Sequence, residues 1–179
     1  MVKENHKTYT IWKLEWPEIL EGEETRGLAR ELTKNLREAD RREILAFTDD
    51  IEREVRESID WSYELQYATT KDGRIIAVWG IQPKKKKEGL MSYSLIWCLG
   101  TDHIKKYMVS FAKESRGILE EWARKYGPLC NMVGGFNEDA IHWLKWIGAD
   151  FIHRGDMPEV VTRGGEDFHP FVIYPKGGK

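Results

Sequence analysis

The sequence predicts a mixed α/β protein of the α+β kind, built on one mostly antiparallel sheet of six to seven strands. Three observations carry this. Leucines and isoleucines recur at helical spacing between residues 24 and 58. From 63 to 99 the period drops to two and tight-turn signals appear. After residue 100, strand-sized apolar runs alternate with two helical stretches, which requires a crossover and hence a parallel pair.

Residues 8–16 alternate imperfectly around Tyr9, Ile11 and Trp12 and read as the first strand. Two helical segments follow in 24–58. Leu28, Leu32 and Leu36 mark the first; Ile44, Leu45 and Phe47 lead into the second, which continues through Ile51, Val55 and Ile59. Between them Arg37 to Glu43 is almost wholly charged, either a solvated helix face or a functional loop. Tyr63, Leu65 and Tyr67 alternate with Glu64 and Gln66, as in a half-buried strand. Asp72-Gly73 supplies the positive φ a hairpin needs.

Ile75 to Ile81 is continuously apolar, the mark of a central strand covered on both faces. Pro83 to Gly89 turns the chain, and Met91 to Leu99 returns as a second central strand. The best helix runs from 103 to 126, with Ile104, Tyr107, Met108, Phe111, Ala112, Ser115, Ile118, Leu119, Trp122, Ala123 and Tyr126 on its apolar face. Thr101 or Asp102 caps it and Gly127-Pro128 stops it. Leu129 to Val133 is a short strand that should lie parallel to 94–99. Asn137 caps a second helix with core face Ala140, Trp143, Leu144 and Ile147, and Gly148 ends it. Residues 150–153 and 168–174 close the sheet as a strand pair around a long polar loop.

Composition narrows the function. The 179 residues are enough for one domain, taken as 1–179. With 28 Lys+Arg against 30 Asp+Glu there is no global basic field to gather nucleic acid, which is not expected as a partner. No apolar run spans a bilayer, and Met1 to Thr10 lacks a secretory segment, so the expected location is not extracellular. Cys98 and Cys130, on neighbouring strands, read as reduced, buried and inert thiols. The 8 tryptophans are assigned mostly to the core.

Other site signals are sparse. His6, His103, His142, His153 and His169 show no metal-ligand spacing, and no metal is expected. His142 falls on the solvent side of its helix. His103, at a helix start, reads as a structural or capping residue, with catalysis the sharper alternative. Lys84 to Lys87 read as a solvated hairpin tip.

The order of elements over residues 8–174 resembles the GNAT family of N-acetyltransferases, and Asn137-Glu138-Asp139-Ala140 leading to Trp146-Ile147-Gly148 is similar to that family's Asn-x-x-Ala…Gly-Phe segment. The resemblance implies helices on both faces of the sheet and acetyl-CoA as cofactor, with its pantetheine between two splayed strands and its pyrophosphate on amides at a helix start. The residues so implied are Cys98, Leu99, Gly100, Thr101, His103, Ile104, Lys105 and Asn137. The charged segment around Asp40 would lie where the family binds its acceptor.

More narrowly the chain resembles a bacteriophage branch of this fold, the internal virion protein A family of short-tailed coliphages. Four segments carry this in order: Arg37 to Glu43, Leu99 to Asp102, Ser115-Arg116, and Trp143 to Gly148. That likeness implies a virion or host-cytoplasm setting, with a phage or host protein as partner.

Two departures bear on chemistry. The pyrophosphate turn has one glycine, Gly100, and carries Asp102 where an anion should bind, with Lys105 and Lys106 as partial offsets. The tyrosine that the family uses as general acid aligns with Leu144, which has no proton to donate. The sequence therefore favours degenerate acetyltransferase chemistry. An active N-acetyltransferase acting on a host or phage amine, with His103 or a water held by Asn137 in the tyrosine's place, is the alternative. A third reading makes the fold a binding module for a peptide or small ligand.

Overall fold

The computed structural model describes residues 1–6, 8–15, 19, 23–83, 93–151 and 160–176. Among them are eight strands that hydrogen-bond in the order β1-β2-β3-β4-β5-β6-β8-β7, one more than the upper expectation. The chain divides into two compact units, residues 1–82 with 97–107, and 83–96 with 108–179.

The first unit opens with β1 (Val2–Asn5), which the sequence reading missed because four mostly polar residues carry no apolar period. It pairs antiparallel with β2 (Tyr9–Glu15), Val2 opposite Lys13. From Glu23 to Asp60, among the described residues, three helices stand where two were expected over 24–58: α1 (Glu23–Asn35), α2 (Glu38–Leu45) and α3 (Ile51–Asp60). The charged segment is thus mostly helix. A new helix begins at 51 because Asp50 caps it, its side chain accepting the Arg53 N–H at 3.0 Å. Leu45 and Phe47 beside the break are half exposed, not core.

β3 (Glu64–Thr70) pairs with β2 on one side and β4 (Ile75–Pro83) on the other. The half-buried strand expected here is a buried one. Gln66 is only 5% exposed, while Tyr63, ahead of the strand, is 53% exposed. The Asp-Gly hairpin forms as read: Gly73 takes φ 87°, and Thr70 Oγ1 accepts the Arg74 N–H at 3.0 Å. Leu28, Leu32, Val55, Ile59, Leu65 and Val78 form the heart of this unit's core. Each such side chain stabilises by roughly 1.5–3 kcal/mol when fully buried.

β5 (Ser94–Gly100) leads to α4 (Ile104–Tyr126). In the second unit Phe111, Ser115, Leu119, Trp122 and Ala123 are buried, a narrower stripe than expected; Ile118 is half-buried and Met108 exposed. β6 (Leu129–Gly134) is parallel to β5 at Ser94–Leu129 and Leu95–Cys130, as expected. α5 (Glu138–Ile147) buries Leu144 and Ile147, and its Gly148 C-cap takes φ 91°.

The closing strands differ from the reading. β7 (Val161–Arg163) and β8 (Glu166–Ile173) form a hairpin about Gly164 and Gly165, both at positive φ, within the stretch expected to be a polar loop. β8 pairs antiparallel with β6, and Asp150 adds only a single bridge to Val172. Residues 152–153 and the Lys84–Lys87 turn lie outside the described residues, as do Trp16 and His153. Of the other tryptophans, Trp79 and Trp122 are buried, Trp12, Trp97 and Trp143 half-buried, and Trp61 and Trp146 exposed.

Candidate functional site

The turn that follows β5 belongs to the first unit, and residues far away in sequence build it. Leu36, just past α1, bridges antiparallel to Thr101, and the Arg37 N–H donates to the Gly100 carbonyl at 2.9 Å. This brings the start of α2 against the end of β5. There the Asp40 carboxylate, 2% exposed, accepts the Gly100 N–H at 2.6 Å. Arg37 grips the same carboxylate through Nε at 2.8 Å and Nη2 at 2.7 Å, a two-pronged fork.

Burial alone would lower the Arg37 guanidinium pKa, but the hydrogen bond to Asp40 and its charge outweigh that, and the group is held above its ordinary value. Cys98 lies in the same field. Burial pushes its thiol up to about 12, with the Asp40 charge adding to the rise and Arg37 opposing it. A thiol so protonated is a poor nucleophile, in keeping with the inert reading, but Cys98 and Cys130 are half-buried, not buried as expected.

Thr101 completes the knot. It is 2% exposed, donates through Oγ1 to the Ile75 carbonyl at 2.7 Å, and gives its N–H to the Ile76 carbonyl at 3.0 Å. Its Oγ1 accepts the His103 N–H at 3.3 Å, and its carbonyl accepts the Ile104 N–H at 3.0 Å. Thr101 is thus the residue that starts α4. A pyrophosphate at this turn needs free amides, yet those of Gly100, Thr101, His103 and Ile104 all donate to protein acceptors. These four amides are not free to hold that group.

Asp102, expected in the anion site, is elsewhere. Its side chain is 77% exposed and pairs with Lys105 at 3.3 Å, a surface contact of small energetic weight. The carboxylate that fills the turn is Asp40. Its sequence signal was the i,i+3 Arg–Asp spacing inside a charged run, which says nothing of burial. The His103 imidazole is half-buried and has no orienting partner among the described residues, so a general base there lacks support.

In the second unit Asn137 is buried and serves as a cap. Its N–H donates to the Gly134 carbonyl at 2.9 Å, and its Oδ1 accepts the Ala140 N–H at 3.4 Å. Leu144, which the resemblance aligns with the family's tyrosine, is a buried hydrocarbon. Gly135 lies under the His169 ring: a Cβ there would stand 3.0 Å from Nε2, so only glycine admits the contact without displacement. His142 is exposed, as expected. Among the described residues no cluster of three His, Cys, Asp or Glu side chains is arranged for a metal. No described helix is long and apolar enough to cross a membrane.

No protein-family model and no curated protein matches this sequence. Solved structures do resemble the chain. The ribosomal-protein-S5-alanine acetyltransferase of Vibrio fischeri aligns over 100% of both chains with a TM-score of 0.61 and 11% identity. The ribosomal-protein-S18-alanine N-acetyltransferase of Escherichia coli aligns over 96% of this chain and 97% of its own, with a TM-score of 0.57 and 15% identity. A GNAT-family acetyltransferase of Streptococcus pneumoniae covers 92% and 99%, with a TM-score of 0.56 and 15% identity. At such identities the likeness shows the fold, which is that of the GNAT acetyltransferases. The bacteriophage branch draws no support from these structures.

Proposed function

We propose that this protein keeps the GNAT fold while its acetyltransferase chemistry has degenerated, and that it serves in a phage virion or infected cell through a protein partner. The observation that supports the loss of chemistry is the filled turn: the Gly100 amide is committed to a buried carboxylate that Arg37 holds in place. A phosphate arriving there would meet negative charge where it needs donors. The buried Leu144, in the position of the usual proton donor, supports the same reading. The phage setting rests on the four sequence segments alone.

The competing reading is an acetyl-CoA-dependent N-acetyltransferase, favoured by the whole-chain likeness to enzymes named for acetylating ribosomal-protein alanines. A thermal titration with acetyl-CoA and free coenzyme A separates the two. Ligand at a hundred times its dissociation constant adds about 2.7 kcal/mol, a rise of roughly 5–10 °C for a chain of this size. The expected result is no rise with millimolar ligand. A rise, together with amine acetylation that His103→Ala abolishes, overturns the proposal in favour of the enzyme.

A further inference from the structure

Each unit exposes an aromatic side chain beside charge of one sign. In the first unit it is Phe47, in the loop between α2 and α3, 50% exposed with Leu45 close by at 51%. From Phe47 to Glu54 four acids stand against one cation, Arg53, whose Nη2 donates to Thr48 Oγ1 at 3.3 Å. Asp49, Asp50 and Glu52 are exposed. Asp50 is occupied as the cap of α3, while Asp49 and Glu52 have no ion pair among the described residues.

In the second unit the aromatic is Trp146, 50% exposed on α5. The Arg116 guanidinium of α4 lies over its ring, 5.8 Å from the centroid. Glu120 fixes Arg116 there through Nε at 3.2 Å and also pairs with Lys176. The two Nη groups of Arg116 have no hydrogen-bond partner among the described residues. Lys113, about one turn before Arg116, and Lys145, beside Trp146, are exposed and have no ion pair among those residues. The acids Glu138 and Asp139 stand about two turns away, at the start of α5.

The two features match as halves of one contact. Phe47 and Asp49 are two residues apart, at most about 7 Å of chain, close to the spacing between the Trp146 ring and the Arg116 guanidinium. With Phe47 packed on Trp146, the Asp49 carboxylate comes within reach of the open Nη groups, and Lys113 and Lys145 are left for Glu52. Neither half suits a copy of itself, since acid would meet acid and base would meet base.

We propose that the chain associates with itself head to tail, the Phe47–Glu52 knuckle of one copy docking on the Trp146–Arg116 face of another. Such a heterologous contact closes into a ring or runs on as an open chain. One aromatic pair and a few ion pairs make a small contact, and the association is therefore weak and transient. The inference goes beyond the proposed function and rests neither on the turn at Gly100 nor on coenzyme A.

The test is sedimentation of the full-length protein in low salt. Native protein is expected to exceed its monomer mass as the concentration approaches about 1 mM, the range of weak contacts. Salt at about 0.5 M should weaken the association at least tenfold, because exposed charges are then screened. Two charge-reversed variants, Asp49→Lys with Glu52→Lys and Lys113→Glu with Lys145→Glu, leave the Asp50 cap and the Arg116–Glu120 pair in place. Each alone is expected to stay monomeric. An equal mixture of the two should associate again, because each carries the half that the other lacks. If a variant does not fold, carbodiimide cross-linking of mixed isotopically light and heavy native protein decides: Asp49 or Glu52 should couple to Lys113 or Lys145 of another copy. Native protein still monomeric at about 1 mM, a variant that associates like the native chain, a mixture that stays monomeric, or the absence of those cross-links overturns the proposal.

Discussion

Two strand-to-helix turns serve the same purpose in this chain and are held in different ways. Between β6 and α5 the cap is local: Asn137 bonds Gly134 on one side and Ala140 on the other, each three residues away. Between β5 and α4 the ties are long-range. Asp40 reaches Gly100 across 60 residues, and Thr101 reaches Ile75 across 26. A local cap satisfies helix donors and leaves the rest of the turn alone. The long-range knot draws the turn into the core and commits its donors to the protein.

If that contrast is right, the largest effect comes from cutting the knot at Asp40. Asp40→Ala strands the Arg37 charge and the Gly100 amide in a buried place and should cost about 3–5 kcal/mol in chemical denaturation. A loss below about 1 kcal/mol would mean that water reaches both groups and that the two turns differ little. Thr101→Val keeps the shape of the side chain but leaves the Ile75 carbonyl without its donor, for an expected loss of about 1–3 kcal/mol.

The local cap should be worth less. Asn137→Ala is expected to cost about 1 kcal/mol, the usual value for a lost N-cap. A loss as large as that of Asp40→Ala would show that Asn137 holds more than its own helix. Asp102→Ala removes only an exposed pair and should leave stability within about 0.5 kcal/mol of native. A larger loss would place Asp102 in the knot after all.

The pH arm is silent near neutrality. Cys98 has its folded pKa raised from an ordinary 9.0 to about 12, so the folded state holds the proton more tightly than the unfolded chain. The stability it contributes is full below pH 9 and is lost as pH rises through 12. Denaturation midpoints of native protein and Cys98→Ser compared across this range should converge upward in pH. Parallel curves would show that burial does not hold the proton on this thiol.

Amphipathic period, Asp-Gly turn chemistry and helix caps are properties of a few neighbouring residues, and the sequence by itself determined them. The helix from 104, the Asn137 and Gly148 ends of α5, the hairpin at Gly73 and the parallel return of β6 beside β5 were all legible. What a residue faces depends on segments folded from elsewhere, and this only the tertiary structure decided. Gln66 is polar and alternates like a solvent residue, yet it is only 5% exposed. Arg37 and Asp40 sit in a charged run that reads as a solvated helix face or a functional loop, and beside the bridge from Leu36 to Thr101 they meet Gly100. Asp102, the carboxylate closest to the turn in sequence, points to solvent, while one 60 residues away fills it. Asp102 is exposed and its charge is screened by water, whereas Asp40 is buried and its charge is not, and that difference decides which carboxylate the turn holds.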